Sequence, residues 1–181
     1  MRKDKTATEI INNKLYNTIM LKLSKAKYDK KVKIISKKMY NYWSTNNYNK
    51  LTLKTNLFNK NLAIKANSIP LPKNKIPIVH GEYLYNSIKI DATVDCGEEL
   101  FVSILIHEIR HFQQHLIYGR NVHKEYNLFN LPFEIDADTM EYLSGYKMSA
   151  KYKDERAKTL GILNKKELNK LIRHQAELIT K

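Results

Sequence analysis

Apolar residues recur at helical spacing along five segments of the chain. The pattern predicts helices over residues 6–28, 31–43, 98–117, 133–146 and, as one helix or two, 154–179. Lys and Asn fill many of the positions between the apolar residues, so each helix is expected to bury one face and to expose the other. The chain is therefore predicted to be mostly helical.

Strand patterns are short and occur in two places. Residues 51–55 alternate apolar and polar side chains, which predicts one strand. Apolar runs at 78–85 and 88–90 predict two further strands or a single hairpin. We expect the strand around residues 87–91 to offer an edge along which an extended peptide pairs. Helices together with a small β-sheet predict the α+β fold class.

Charge divides the chain into three parts. Residues 1–75 carry 18 Lys and Arg against 3 Asp and Glu, residues 76–149 carry 5 against 11, and residues 150–181 carry 9 against 4. The net charges of +15, −6 and +5 sum to the +14 of the whole chain. Three prolines within residues 67–77 coincide with the first change of sign. We therefore predict a basic helical arm over 1–75, a central module over 76–149 and a helical tail over 150–181, packed as one compact unit.

The excess of lysine has two interpretations. A basic surface attracts nucleic acid or an acidic partner, but lysine is also the common surface residue of a chain rich in Asn and Ile. No apolar run reaches the length of a membrane span, and no secretory signal follows the basic start. Cys96 is the single cysteine, which excludes an internal disulfide and a cysteine-rich zinc site. Its position at a predicted helix N-terminus could lower the pKa of the thiol, but a buried or incidental thiol is the favoured interpretation. The expected location is cytoplasmic, with no membrane partner.

One motif carries specific chemistry. Residues 107–111 read His-Glu-Ile-Arg-His, the pattern H-E-x-x-H, inside the helix predicted over 98–117. Because residues i and i+4 share a helical face, His107 and His111 can bind one Zn²⁺ at about 2.0–2.1 Å. Glu108 then lies beside the metal rather than on it, where it can take a proton from the attacking water. The motif predicts a hydrolytic zinc centre with Glu108 as the catalytic base.

A catalytic zinc ion requires a third protein ligand and an open fourth position. The helix predicted over 133–146 carries Glu134 and Asp138 four residues apart, on one face. Glu134 is the candidate third metal ligand, and Asp138 is the candidate acceptor for the N–H of a ligand imidazole. Two solvated acids at the start of a helix are the alternative interpretation. His115 lies one turn beyond the motif, too far along the helix axis to share the ion.

Peptide hydrolysis also requires a group that stabilises the developing oxyanion. The candidates for this role are His80, His123 and Tyr146, whose side chains can all donate a hydrogen bond. No spacing selects one of them over the others, so the choice stays open.

The two motifs together resemble the gluzincin metallopeptidases. Residues 81–143 are similar, more narrowly, to the ImmA/IrrE-type zinc peptidases of bacteria and phages. The resemblance is carried by Gly81 in a strand pair, by His107 to His111, and by Glu134, Ala137 and Asp138 on the following helix. It implies a minimal, mostly helical zincin module with a small β-sheet and one Zn²⁺. The hydrophobic pattern adds flanking amphipathic helices on both sides of this module. It also implies proteolysis of a protein partner such as a transcriptional repressor.

The sequence thus predicts a zinc-dependent metallopeptidase that hydrolyses a protein or peptide substrate. The alternative is a nucleic-acid-associated protein, or a virion or mobile-element component, with a structural or vestigial zinc site. In that case the basic arm would be the functional part. Residues 1–75 contain no recognisable DNA-binding or RNA-binding motif that would favour this alternative.

Overall fold

The computed structural model describes residues 4–73, 76–119 and 131–181. Within these ranges it contains seven α-helices and one four-stranded mixed sheet, which confirms the predicted α+β fold. The helices are α1 (Ala7–Ile11), α2 (Lys14–Ser24), α3 (Lys30–Thr45), α4 (Gly97–Tyr118), α5 (Leu131–Leu143), α6 (Ala150–Thr159) and α7 (Lys165–Thr180). The strands are β1 (Leu51–Leu57), β2 (Lys60–Ser68), β3 (Val79–Leu84) and β4 (Ser87–Ala92). In the described part of the chain, no helix has both the length and the apolar character needed to cross a bilayer.

The chain divides into two compact units. Unit 1 comprises residues Met1–Tyr28 and Ile117–Lys181, and unit 2 comprises Asp29–Leu116. The charge boundary near residue 75 falls inside unit 2, because β1 and β2 belong to the same sheet as β3 and β4. Residues 1–75 are also not wholly helical, since they contain these two strands. The change in charge along the sequence is therefore not a boundary of the fold.

The sheet of unit 2 has the strand order β1-β2-β4-β3. The β1–β2 and β3–β4 pairs are antiparallel, and β2 pairs with β4 in parallel. The hydrophobic pattern predicts β1 and the β3–β4 hairpin, whereas β2 lies outside the prediction. The prediction that residues 87–91 offer a free edge is wrong, because β4 is an inner strand with a partner on each side. The edge strand beside it is β3.

Aromatic packing holds helix α4 in unit 2. Trp43 of α3 stacks on Phe101 of α4 with ring centroids 5.0 Å apart, and both side chains are fully buried. Phe112, also fully buried, lies 6.1 Å from the ring of Tyr83 in β3. Burying one such side chain stabilises the fold by about 1.5–3 kcal/mol. These contacts fix the helix that carries the H-E-x-x-H motif.

Unit 1 is helical. The single helix predicted over residues 6–28 is broken between α1 and α2 at Asn12 and Asn13. Asn12 ends α1, and the side chain of Asn13 caps α2 by accepting a hydrogen bond from the backbone N–H of Tyr16. Helix α5 packs against α2 and α7, and Phe133 of α5 is part of the buried core they share. This packing positions the helix that carries Glu134 and Asp138.

Candidate metal centre

Helix α4 presents the two histidines of the motif on one face, as their spacing predicts. The Nε2 atoms of His107 and His111 are 3.1 Å apart, and the rings are inclined by 79°. Two nitrogen ligands bound tetrahedrally to one zinc ion at about 2.0–2.1 Å would lie about 3.3 Å apart. The separation therefore suits a shared ion, and it equally suits a hydrogen bond between the two rings.

The orientation of His111 is set by the next turn of the helix. Its Nδ1 atom lies 2.8 Å from Oε1 of Gln114, and both side chains are buried. Because a carbonyl oxygen only accepts, this contact favours the neutral His111 tautomer with its hydrogen on Nδ1 and a lone pair on Nε2. This is the tautomer that binds a metal through Nε2. Gln114 has no role in the sequence prediction, although its i+3 spacing from His111 could have revealed it.

The side chain of Glu108 lies against the edge strand of the sheet. It is 9% exposed, and a Cβ atom at Gly81 would lie 2.5 Å from its Cγ and 2.7 Å from its Oε1. Real Cβ atoms essentially never show so short a contact, so any other residue at position 81 would force this carboxylate to shift. The predicted catalytic base is thus placed next to the backbone of an edge strand.

In unit 1, Glu134 and Asp138 lie one turn apart on α5 and are joined by Arg156 of α6. The Nε and Nη2 atoms of Arg156 donate to Oδ2 and Oδ1 of Asp138, each at 3.0 Å, and Nη2 also donates to Oε2 of Glu134. The side chain of Asp138 is fully buried, and those of Arg156 and Glu134 are 16% and 25% exposed. The interpretation as two solvated acids is therefore wrong.

Charge compensation makes the burial of Asp138 possible. Burial opposes the charged form of Arg156, but the charges and hydrogen bonds of Asp138 and then Glu134 outweigh it and raise the pKa of the guanidinium. A buried carboxylate without such a partner would be strongly destabilising. Arg156 lies 18 and 22 residues from its two partners, and no sequence signal identifies it.

The hydrogen bonds of Asp138 reduce the number of histidines from which it can accept an N–H. Both of its carboxylate oxygens accept hydrogen bonds from Arg156, and the partner of His111 Nδ1 is Gln114. Acceptance of an imidazole N–H by Asp138 therefore stays a prediction for His107 alone.

Of the three candidates for oxyanion stabilisation, the structure describes His80 and Tyr146. His80 is exposed on β3, opposite Asp91 of β4 and adjacent in sequence to Gly81. Tyr146 follows α5, is half-buried, and donates its backbone N–H to the carbonyl oxygen of Glu141. His123 lies outside the described residues. Of the two described candidates, only His80 belongs to the same unit as Glu108.

Cys96 and His115 are packed against other side chains or buried in the fold. Burial raises the pKa of the Cys96 thiol to about 11, so it is protonated at neutral pH, which agrees with the predicted buried thiol. The ring of His115 packs edge-on against Tyr83 and Tyr85, with centroid separations of 5.6 and 5.4 Å. Neither residue is a candidate for the chemistry of this centre.

No family model matches the chain, and no curated protein and no solved structure matches it either.

Proposed function

We propose that this chain is a zinc-dependent metallopeptidase, with His107, His111 and Glu134 as zinc ligands and Glu108 as the catalytic base. The observation that carries the proposal is the 3.1 Å separation of the two histidine Nε2 atoms on the helix that also carries Glu108. Two imidazoles and one glutamate are a donor set that catalytic zinc uses. The tautomer imposed on His111 by Gln114 supports the same assignment.

The choice of the third ligand rests on the carboxylates of α5. The acidic candidates of the sequence prediction are Glu134 and Asp138, which both lie on this helix. We favour Glu134 as the ligand, because both oxygens of Asp138 already accept hydrogen bonds from Arg156.

The chemistry of hydrolysis assigns a distinct role to Glu108. When bound, zinc would polarise the scissile carbonyl as a Lewis acid and would lower the pKa of a water molecule. Glu108 would accept the proton of the attacking water and return it to the leaving amine. A base that both takes and returns a proton must be held within reach of the reacting atoms. Contact with Gly81 and burial to 9% exposure restrict the positions open to the Glu108 side chain, which supports this role.

The sheet supports a peptide as the substrate. Strand β3 is an edge of the described sheet, with β4 as its pairing partner. An extended peptide can add to such an edge through main-chain hydrogen bonds, and Gly81 would bring its backbone close to Glu108. A protein partner with an extended segment, of which a transcriptional repressor is one example, fits this arrangement.

Metal analysis tests the zinc ligands directly. The purified protein is expected to carry about one Zn²⁺ per chain, and His107→Ala, His111→Ala and Glu134→Ala are each expected to abolish stoichiometric binding. Asp138→Asn should weaken binding by about 10–100-fold without removing the ion. His115→Ala, on the same helix, is the matched control and should retain zinc. Full zinc content in both His107→Ala and His111→Ala would contradict the proposal.

Cleavage of a peptide library, followed by mass spectrometry, tests the reaction. Glu108→Gln should retain zinc and fold but lose hydrolysis, because an amide of the same shape cannot accept the proton. Near-normal cleavage by this variant would remove Glu108 from the role of base. The nucleic-acid alternative would gain support if the wild-type protein cleaves nothing while it binds duplex DNA with an affinity that falls steeply as salt rises.

A further inference from the structure

A cavity of about 230 Å³ lies beside Asp138 in unit 1. Its polar lining consists of Asp138, Tyr146, Lys147, Lys153, Asn169 and Arg173. These side chains come from α5, α6, α7 and the segment between α5 and α6, and all of them belong to unit 1. None of the proposed zinc ligands lines this cavity.

The lining of the cavity is cationic. Lys147, Lys153 and Arg173 make no ion pair with any residue in the described part of the chain. The negative charge of Asp138 is compensated by Arg156, which contacts it through two hydrogen bonds. Three cationic residues thus line one concave space. Such an arrangement favours an anionic ligand.

The apolar part of the lining limits the type of anion that the cavity can bind. Tyr142, Met148 and Ile172 contribute apolar surface to the same cavity. Polar groups that fix a ligand together with apolar walls are typical of sites for small organic groups. A carboxylate on a short aliphatic stem satisfies both parts of the lining.

Within unit 1, the cavity is connected to the proposed third zinc ligand through shared contacts. Asp138 lines the cavity, and Arg156 joins Asp138 to Glu134, the proposed third zinc ligand. We propose that this cavity binds a carboxylate of the peptide substrate and makes the enzyme selective for peptides with an acidic group near the scissile bond. The selectivity rests on the proposed peptidase function. The carboxylate can be a glutamate or aspartate side chain or the C-terminus of the peptide.

Binding of three peptides to the full chain carrying Glu108→Gln tests the proposal without cleavage. The peptides share one sequence and contain Glu with an amidated C-terminus, Gln with an amidated C-terminus, or Gln with a free C-terminal acid. A peptide with a carboxylate is expected to bind about tenfold more tightly than the neutral peptide at low salt, as two or three partly exposed charge contacts would produce. The peptide that gains affinity identifies the source of the carboxylate.

Two double variants separate the cavity from net charge. Lys153→Gln with Arg173→Gln should abolish the tenfold preference. Lys151→Gln with Lys166→Gln removes the same charge from exposed positions of the same helices and should retain it. Equal affinity for all three peptides, no binding of any peptide, or equal loss in both double variants would overturn the proposal.

The zinc content of each protein distinguishes the two proposals. A carboxylate preference in a protein that holds no zinc would support the cavity and contradict the proposed function. Zinc-dependent cleavage with no carboxylate preference would overturn the cavity proposal alone.

Discussion

Gly81 of β3 lies in direct contact with the side chain of Glu108 of α4, so closely that a Cβ atom at position 81 would lie 2.5 Å from Cγ of Glu108. The predicted base and the edge strand are therefore adjacent within unit 2. Because a Cβ atom at position 81 would force the Glu108 side chain to shift, the position of this side chain depends on a residue 27 positions away in the sequence.

Gly81→Ala is expected to displace Glu108 and to impair hydrolysis without removing zinc. A catalytic group moved by about 1 Å can lose about 100-fold in rate, and overpacking of the contact should destabilise the fold by about 1–3 kcal/mol. Measurement of kcat, zinc content and urea unfolding checks both effects. In a Glu108→Ala background the substitution should destabilise much less, because the clashing atoms are gone. An unchanged kcat in Gly81→Ala would contradict the role of the contact.

Gln114→Leu is expected to weaken zinc binding by about 10–100-fold, because the acceptor that fixes the His111 tautomer is lost. Competition with a chelator measures the affinity. Gln113→Leu is the matched control, since the neighbouring Gln113 bonds to Arg110 rather than to a histidine. Gln114→Glu retains an acceptor and should retain most of the affinity. Equal affinities of Gln114→Leu and Gln113→Leu would show that the contact does not tune the metal site.

Arg156→Met is expected to destabilise the protein by about 3–5 kcal/mol, because it leaves the fully buried carboxylate of Asp138 without its counter-charge. Lys165→Met is the matched control. It breaks the Lys165–Asp154 pair, whose side chains are 49% and 45% exposed, and should cost less than about 1 kcal/mol. Urea unfolding of both variants provides the comparison. A similar small loss in the two variants would mean that Asp138 is not held by the charge of Arg156.

Glu167 is expected to contribute stability that depends on pH. Its carboxylate accepts hydrogen bonds from Lys170 at 2.7 Å and from the backbone N–H of Ala7 at 2.8 Å, and these contacts lower its pKa below the ordinary 4.5. A group whose pKa is lowered by folding stabilises the folded state fully above its unfolded pKa and loses this contribution as the pH falls through its folded pKa. The free energy of unfolding of wild type should therefore exceed that of Glu167→Gln most at pH 7, and the difference should shrink below about pH 4.5.

Urea titrations between pH 3 and 7 check the effect of Glu167. Glu177→Gln, an exposed substitution on the same helix, is the control. A difference between wild type and Glu167→Gln that stays constant over this range would contradict the expected linkage.

Local patterns in the sequence were sufficient to predict the two helices that carry the candidate site residues. Helix α4 spans Gly97–Tyr118, close to the predicted 98–117, because its apolar residues repeat at the helical period over many turns. The approach of His107 to His111 follows from the same period, since residues i and i+4 of any helix share a face. The helical spacing of Glu134 and Asp138 on α5 was predictable for the same reason.

Strand β2 was harder to predict because its signals are weak. Its core face carries Leu62, Ile64 and Ala66, but lysine and asparagine, which disfavour strands, fill much of the rest. The hairpin turn before it places Phe58 and Asn59 at positive φ, of 55° and 59°. A turn of this kind is usually recognised by an Asn-Gly or Asp-Gly pair, and Phe58 gives no such signal.

The sequence by itself determined which segments are mainly helical, the α+β class and the spacing of the motif, because these depend on residues a few positions apart. Only the tertiary structure decided that β3 rather than β4 is the edge strand, that Gly81 touches Glu108, and that Arg156 joins Glu134 to Asp138. Each of these relationships joins separate elements of a unit, so it follows from how strands and helices pack and not from any local period. The buried charge of Asp138 in particular required a cation, and the packing of α6 against its neighbours supplied it at a distance of 18 residues.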